Sequence, residues 1–262
     1  MKLFFSDLDG TLLDHETYSY DKSLEGIKLL TDNNIPLIMI SSKTFLEMKI
    51  LHEELNLHSP FVFEGGGGIA YIKENTFHTS LNGEQSTKLL TKIGILEKYF
   101  SEKPRLLIDM TVEEVVKYTG LPKEKAVLAQ KRETSIPFLL DNKNNITINA
   151  INSINSELKF HGLRLTKGGR FFHFSSINAN KGFAIDKIIS FYDTETLNGK
   201  ILTAAVGDSE NDIPMMEKVN QPYLVRKKAS QYIETGIKNI IITKGIGPEG
   251  FTEAVKNFLK TT

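Results

Sequence analysis

Along most of the chain, short apolar runs alternate with amphipathic stretches, the rhythm of βα units that feed a parallel sheet. Lys2–Ser6 reads as a buried strand, followed by a loop rich in Asp, Gly and Thr. A helix is predicted over about residues 21–33, with Leu24, Ile27, Leu29 and Leu30 on one side. A strand over 36–40, a helix over about 44–55 and the strand Phe61–Phe63 come next, and the last ends at Glu64 and a run of four glycines, Gly65–Gly68. The final third repeats the rhythm. It opens with a helix over 181–192, whose expected buried set is Phe183, Ile185, Ile188 and Ile189, and a strand over 201–206. Further strands are predicted at 223–225 and 239–242, and a last helix opens at Pro248, a favourable first-turn position, and runs to about Leu259.

The middle of the chain has a different texture. Thr111-Val112-Glu113-Glu114 fits a capping box at a helix start, and Gly120-Leu121-Pro122 stops that helix and starts another. Residues 162–174 have the composition of a hairpin that turns near Lys167–Arg170. The pattern predicts an α/β protein with a Rossmann-like parallel-sheet core, from residues 1–85 and 177–262, and an inserted α+β cap domain over 86–176. At 262 residues the chain can bury a sizeable core.

Composition narrows the function classes. Lys plus Arg and Asp plus Glu each number 32, so no net field recruits nucleic acid or an anionic membrane. The absence of cysteine removes disulfides, thiolate catalysis and zinc–cysteine sites. The apolar start Leu3-Phe4-Phe5 is cut short by Asp7 and Asp9, unlike a signal peptide, and the longest apolar runs are only strand-length. A soluble, cytoplasmic protein without nucleic-acid or membrane partners is expected; its oligomeric state is not legible in the chain.

The candidate chemistry sits at strand ends. Asp7-Leu8-Asp9-Gly10-Thr11 follows the first strand, where open α/β sheets place their ligands. Two close carboxylates repel and need a cation or a shared proton, and carboxylate with phosphate oxygens is a donor set Mg2+ prefers. Gly207-Asp208-Ser209-Glu210-Asn211-Asp212 follows another strand. Asp208 can add a third carboxylate and Asp212 can support the metal's surroundings, while helix N-capping is the competing reading for part of this group. Ser41, with Ser42 and Lys43 behind it, closes the 36–40 strand; a hydroxyl and free N–H groups there can hold phosphate oxygens or simply cap a helix. Lys181 opens a helix and can balance the acidic cluster, although a lone lysine is usually a solvated surface residue.

In this order, Asp-x-Asp-Gly-Thr, strand-end Ser, Lys and Gly-Asp-x-x-Asn-Asp, the motifs resemble the haloacid-dehalogenase-like phosphatase superfamily and span the whole predicted core. The resemblance implies that Asp7 attacks phosphorus to form an aspartyl-phosphate and that Asp9 serves as general acid and base. It implies a Mg2+ site built from Asp7, Asp208 and the Asp9 backbone carbonyl, with Asp212 beside it, and phosphoryl binding by Ser41 and Lys181.

A finer resemblance rests on Asp14-His15 with Tyr18-Ser19, Ser41–Thr44, Gly120-Leu121-Pro122, Gln130-Lys131-Arg132-Glu133, Gly168-Gly169-Arg170-Phe171 and Gly247-Pro248-Glu249-Gly250. These look like the mannosyl-3-phosphoglycerate phosphatase branch, which releases phosphate to give mannosylglycerate. A substrate with both phosphate and carboxylate needs cationic donors away from the metal, and Arg forks suit carboxylates. Lys131, Arg132, Gly169 and Arg170, with Ser42 and Asn211, are therefore the candidate substrate contacts, a surface salt bridge being the competing role for each Arg. Two positions depart from the branch pattern. Gly65 stands where it commonly reads Asn, which predicts a looser loop, and Ile136 stands where it tends to carry an acidic residue. Both belong to the region expected to recognise the sugar. Rival readings are a phosphatase for glucosyl-3-phosphoglycerate, sucrose phosphate or hexose phosphates, a phosphomutase, and a non-catalytic phosphometabolite sensor.

Overall fold

A computed structural model describes residues 1–141, 146–168, 170–195, 201–227 and 232–261. Its first segment runs β1 (Lys2–Ser6), α1 (Leu24–Asp32), β2 (Leu37–Met39), α2 (Phe45–Glu54), β3 (Phe61–Phe63), β4 (Gly68–Lys73) and β5 (Thr76–Leu81). The middle holds α3 (Ser86–Lys92), β6 (Arg105–Leu106), α4 (Val112–Thr119), α5 (Lys123–Ala129), β7 (Ser135–Leu139), α6 (Ile148–Leu158), β8 (Leu163–Lys167) and β9 (Phe172–Ser176). The last segment is α7 (Lys181–Glu195), β10 (Leu202–Gly207), α8 (Ile213–Met216), β11 (Gln221–Arg226), β12 (Ile241–Ile246) and α9 (Pro248–Leu259).

The central sheet is parallel throughout, in the order β12-β11-β10-β1-β2. Strands β1, β2, β10 and β11 are buried on both faces, as crossover helices require, while the edge strand β12 is mostly exposed. Phe4 packs with Ile27, Phe251 and Phe258 on one side, and Leu3 and Phe5 pack with Ile185 and Ile188 on the other. A bridge between Ile40 and Val62 joins this sheet to the antiparallel β3-β4-β5 sheet. The β4–β5 hairpin, absent from the sequence reading, turns on Glu74 and Asn75, both in the left-handed region that two-residue turns favour. A second antiparallel sheet, β6-β7-β9-β8, forms in the inserted α+β region and packs one face on α3 and α6. No helix among the described residues is long and apolar enough to cross a membrane.

Several expectations change in detail. The first predicted helix begins as a 3-10 turn at Asp21–Ser23, which leaves Leu24 exposed; α9 crosses at Gly26, so Gly26, Ile27 and Leu30 form the buried face. In α7, Ala184, Ile185 and Ile188 are buried, whereas Phe183 and Ile189 are only partly so. The capping box at Thr111 and Glu114 forms, and Gly120 ends α4 in the left-handed conformation. Ile136 is 1% exposed within the apolar side of the β7 sheet, among Phe138, Leu165 and Phe174, so its side chain is packing for that sheet and not part of an open recognition surface.

The glycine turn is packed, not loose. Gly66 (φ 106°) would place a Cβ 2.2 Å from the backbone of Asn180, and Gly67 would place one 2.0 Å from Thr134 Oγ1. Only Gly65, at φ 67°, faces open space. The missing side chains are what let this turn touch two other segments at once.

Candidate active site

Three carboxylates from two adjacent strand ends meet at one point. Asp7 leaves the end of β1, and Asp208 and Asp212 follow β10. Those strands pair in parallel with Ser6 opposite Val206, so both chains exit side by side at the carboxyl edge. One oxygen from each of Asp7, Asp208 and Asp212 lies within 4.8 Å of the others, and all three residues are buried. Gly10 makes the approach possible: at φ 82° it lets the loop curl, and a Cβ there would stand 2.8 Å from Asp208 Oδ2.

Lys181 joins the cluster from the start of α7. Its Nζ lies 2.5 Å from Asp7 Oδ1 and 2.5 Å from Asp212 Oδ1, with the side chain 3% exposed. Burial works against its charge, yet Asp212 and Asp7 outweigh burial and hold it protonated well above the ordinary lysine range. The other Asp212 oxygen accepts the backbone N–H groups of Asp208 and Ser209 at 3.1 and 3.0 Å, so this residue folds its own loop while holding the lysine. Capping and site-building, rivals in the sequence, are here one role. Lys227 Nζ approaches Asp208 Oδ2 at 3.4 Å.

Burial and then the Asp212 charge push Asp7 well above the usual carboxylate range, and the same two causes raise Asp208. The cluster is therefore short of positive charge despite its lysines. Its donors are hard carboxylate oxygens converging from two directions, the chemistry that suits a divalent cation such as Mg2+.

Asp9 takes a different place. Its Oδ2 accepts from Lys43 Nζ at 2.8 Å, and its Oδ1 is buried without a hydrogen-bond partner among the described residues. Burial opposes the Lys43 charge, but Asp9 and Glu47 outweigh it and raise its pKa. The Asp9 carboxylate is thus separate from the three-carboxylate cluster. Ser41 is 1% exposed beyond β2, its hydroxyl accepting from Lys43 N at 3.2 Å.

The remaining predicted contacts are dispersed. The Ser42 carbonyl accepts from Arg132 Nη1 at 2.5 Å, while Arg132 Nε donates to Ala129 O at 2.9 Å. Asn211 is exposed, its Oδ1 accepting from the Ser209 hydroxyl at 2.5 Å. Lys131 and Arg170 are exposed, and Arg170 Nη1 donates to Thr119 O. Gly169 lies outside the described residues.

Glu64 received no role from the sequence. Only 4% exposed, it accepts from Glu133 N at 2.6 Å, Thr134 N at 2.9 Å and the Ser135 hydroxyl at 2.6 Å. Its own N–H donates to Lys43 O, and Gly65 N donates to Ser41 O, each at 2.8 Å. It thereby ties the Ser41–Lys43 loop to β7. Its place beside the glycine run was a signal, because such runs mark close approach of segments.

The model of the haloacid dehalogenase-like hydrolase family matches residues 4–243. A glucosyl-3-phosphoglycerate/mannosyl-3-phosphoglycerate phosphatase of Methanococcoides burtonii is 35% identical, over 98% of this chain and 97% of its own. A protein of the same name from Persephonella marina is 30% identical, over 98% and 97%. Among solved structures, BT1666 from Bacteroides thetaiotaomicron, described with phosphatases of the haloalkanoate (HAD) superfamily, shares the fold with a TM-score of 0.68 at 16% identity, covering 98% of this chain and 95% of that one.

Proposed function

Since the chain belongs to the haloacid dehalogenase-like hydrolase family, we propose that it is a Mg2+-dependent phosphatase that hydrolyses mannosyl-3-phosphoglycerate, and also its glucosyl counterpart, to the glycosylglycerate and phosphate. The observation that carries the chemistry is the convergence of Asp7, Asp208 and Asp212 around Lys181. The substrate rests on the finer motif resemblance and on two relatives whose names carry both sugars.

Asp7 Oδ attacks phosphorus and the bond to the glycerate oxygen breaks. Asp9 gives its proton to the leaving alkoxide, and an aspartyl-phosphate stands on Asp7. Water then attacks that phosphorus while Asp9 takes its proton, releasing phosphate and restoring Asp7. Lys43 holds the Asp9 carboxylate in place. Lys181 keeps Asp7 oriented and, with the Ser41 hydroxyl, offsets phosphoryl charge. Mg2+ held by Asp7, Asp208 and the Asp9 backbone carbonyl, with Asp212 beside them, would supply charge neutralisation for the transferring group. Residues 1–85 and 177–262 form the catalytic core in this reading, and residues 86–176 the cap that excludes water and selects the substrate.

The test is phosphate release from mannosyl-3-phosphoglycerate, glucosyl-3-phosphoglycerate, sucrose phosphate and a hexose phosphate, with and without Mg2+. Preference for the two glycerate esters is expected. Equal turnover of plain hexose phosphate would contradict the substrate assignment, and isomerised product without phosphate would indicate a mutase.

A further inference from the structure

Strand alternation gives the β6-β7-β9-β8 sheet two unlike faces. Ile136, Phe138, Leu163, Leu165, Phe172 and Phe174 form the apolar one. Between them, Ser135, Ser175 and Arg164 stand in one cross-strand row, and Pro137, His173 and Thr166 in the next. The first row spans two segments of the active site. At one end the Ser135 hydroxyl donates to Glu64 at 2.6 Å; at the other, Arg164 Nη1 lies 3.4 Å from the carbonyl of Ala179, two residues before Lys181. The polar face is therefore turned toward the loops that carry Ser41, Lys43 and Lys181.

On that face Arg164 is the unusual residue. It is half-buried, that 3.4 Å contact is its one hydrogen bond among the described residues, and no acidic side chain there offsets its charge; loss of water around it holds its pKa below the ordinary arginine value. A desolvated guanidinium normally has an anionic partner in a fork geometry. His173, in the adjoining row of the same face, cannot act as one: burial and Arg132, a cation already donating to two carbonyls, push it down to about 3, leaving it neutral. Arg170 and Lys131 lie exposed.

We propose that Arg164 binds the carboxylate of the phosphoglycerate moiety and so sets the preference for a phosphate ester that carries a second, carboxylic anion. This rests on the substrate reading above, and it gives the carboxylate a partner on the sheet face in place of the exposed Arg170.

The test compares wild type, Arg164→Gln, Arg164→Lys and Arg170→Gln on mannosyl-3-phosphoglycerate, mannose 6-phosphate and p-nitrophenyl phosphate with Mg2+, alongside thermal unfolding midpoints. Losing a charged contact of this kind predicts a KM for the glycerate ester raised roughly 10- to 100-fold in Arg164→Gln, with turnover of the two carboxyl-free esters unchanged. Arg164→Lys should recover part of the loss. A wild-type enzyme indifferent to the carboxylate would overturn the substrate reading and this proposal together. A wild-type preference kept by Arg164→Gln, a loss shared equally by all three esters, or a loss that appears only in Arg170→Gln would overturn this proposal alone.

Discussion

Single residues that look alike in the sequence carry distinct tasks in the site, the carboxylates above all. Asp7→Asn removes the nucleophile and is expected to lower phosphate release by at least ~10³-fold while the fold persists, as circular dichroism and activity assays would show. Asp212→Asn tests a different task. Its Oδ2 accepts two backbone N–H groups, so an amide there presents either one good acceptor or a misplaced donor. Activity should fall roughly 10- to 100-fold, with weakened Mg2+ activation measured by titrating the metal. The acidic motifs were legible because few other roles place two carboxylates just past a strand end. Glu64 and Arg164 were not, since an isolated Glu or Arg in a sequence most often sits on a solvated surface and only tertiary contacts reveal burial. Arg170, which belongs to a recognisable motif, attracted the attention that the unremarkable Arg164 did not.

At the scale of elements, the Glu64–Gly67 turn touches the Ser41–Lys43 loop, the start of β7 and Asn180. Its glycines predict opposite outcomes. Gly67→Ala would drive a Cβ into Thr134 and should lower the thermal midpoint sharply and impair turnover. Gly65→Asn meets open space in a left-handed conformation that Asn tolerates, and should stay within about 1 kcal/mol of wild type in denaturant titrations. Glu64→Ala strands buried donors at residues 133–135 and should cost about 2–4 kcal/mol of stability in the same titrations. Helices with strong signals, such as α9 behind its N-terminal Pro248, matched their predicted bounds. The β4–β5 hairpin escaped notice because its strand Thr76–Leu81 is mostly exposed and polar, with no apolar run to mark it.

At the scale of the whole molecule, the alternation of apolar runs carried the parallel sheet, because buried crossover strands must be apolar on both faces. The strand order was not legible: β1 pairs with β10 across about 200 residues of chain, and only that pairing brings Asp7 to Asp208. Acid acts on the fold with two signs: raised Asp7 and Asp208 make the folded chain bind more protons and favour it at lower pH, whereas two desolvated histidines work the other way. Burial lowers the pKa of His52, and burial with Arg132 lowers His173 to about 3. Both folded values lie below the unfolded value near 6.5, so the unfolded chain binds more protons; the contribution to stability is complete above that value and is lost as pH falls through the folded values. The histidine part, read as the difference in unfolding free energy between wild type and a His52→Gln/His173→Gln variant from pH 7.5 to 5, should decline by at most about 1.4 kcal/mol per pH unit for each histidine. The most direct test of the central claim is to quench the enzyme during turnover of mannosyl-3-phosphoglycerate with Mg2+, reduce any acyl phosphate with borohydride and map the modified residue by peptide mass. Reduction confined to Asp7, and absent without substrate, is the predicted result. A modified residue elsewhere, or full turnover by Asp7→Asn, would contradict it.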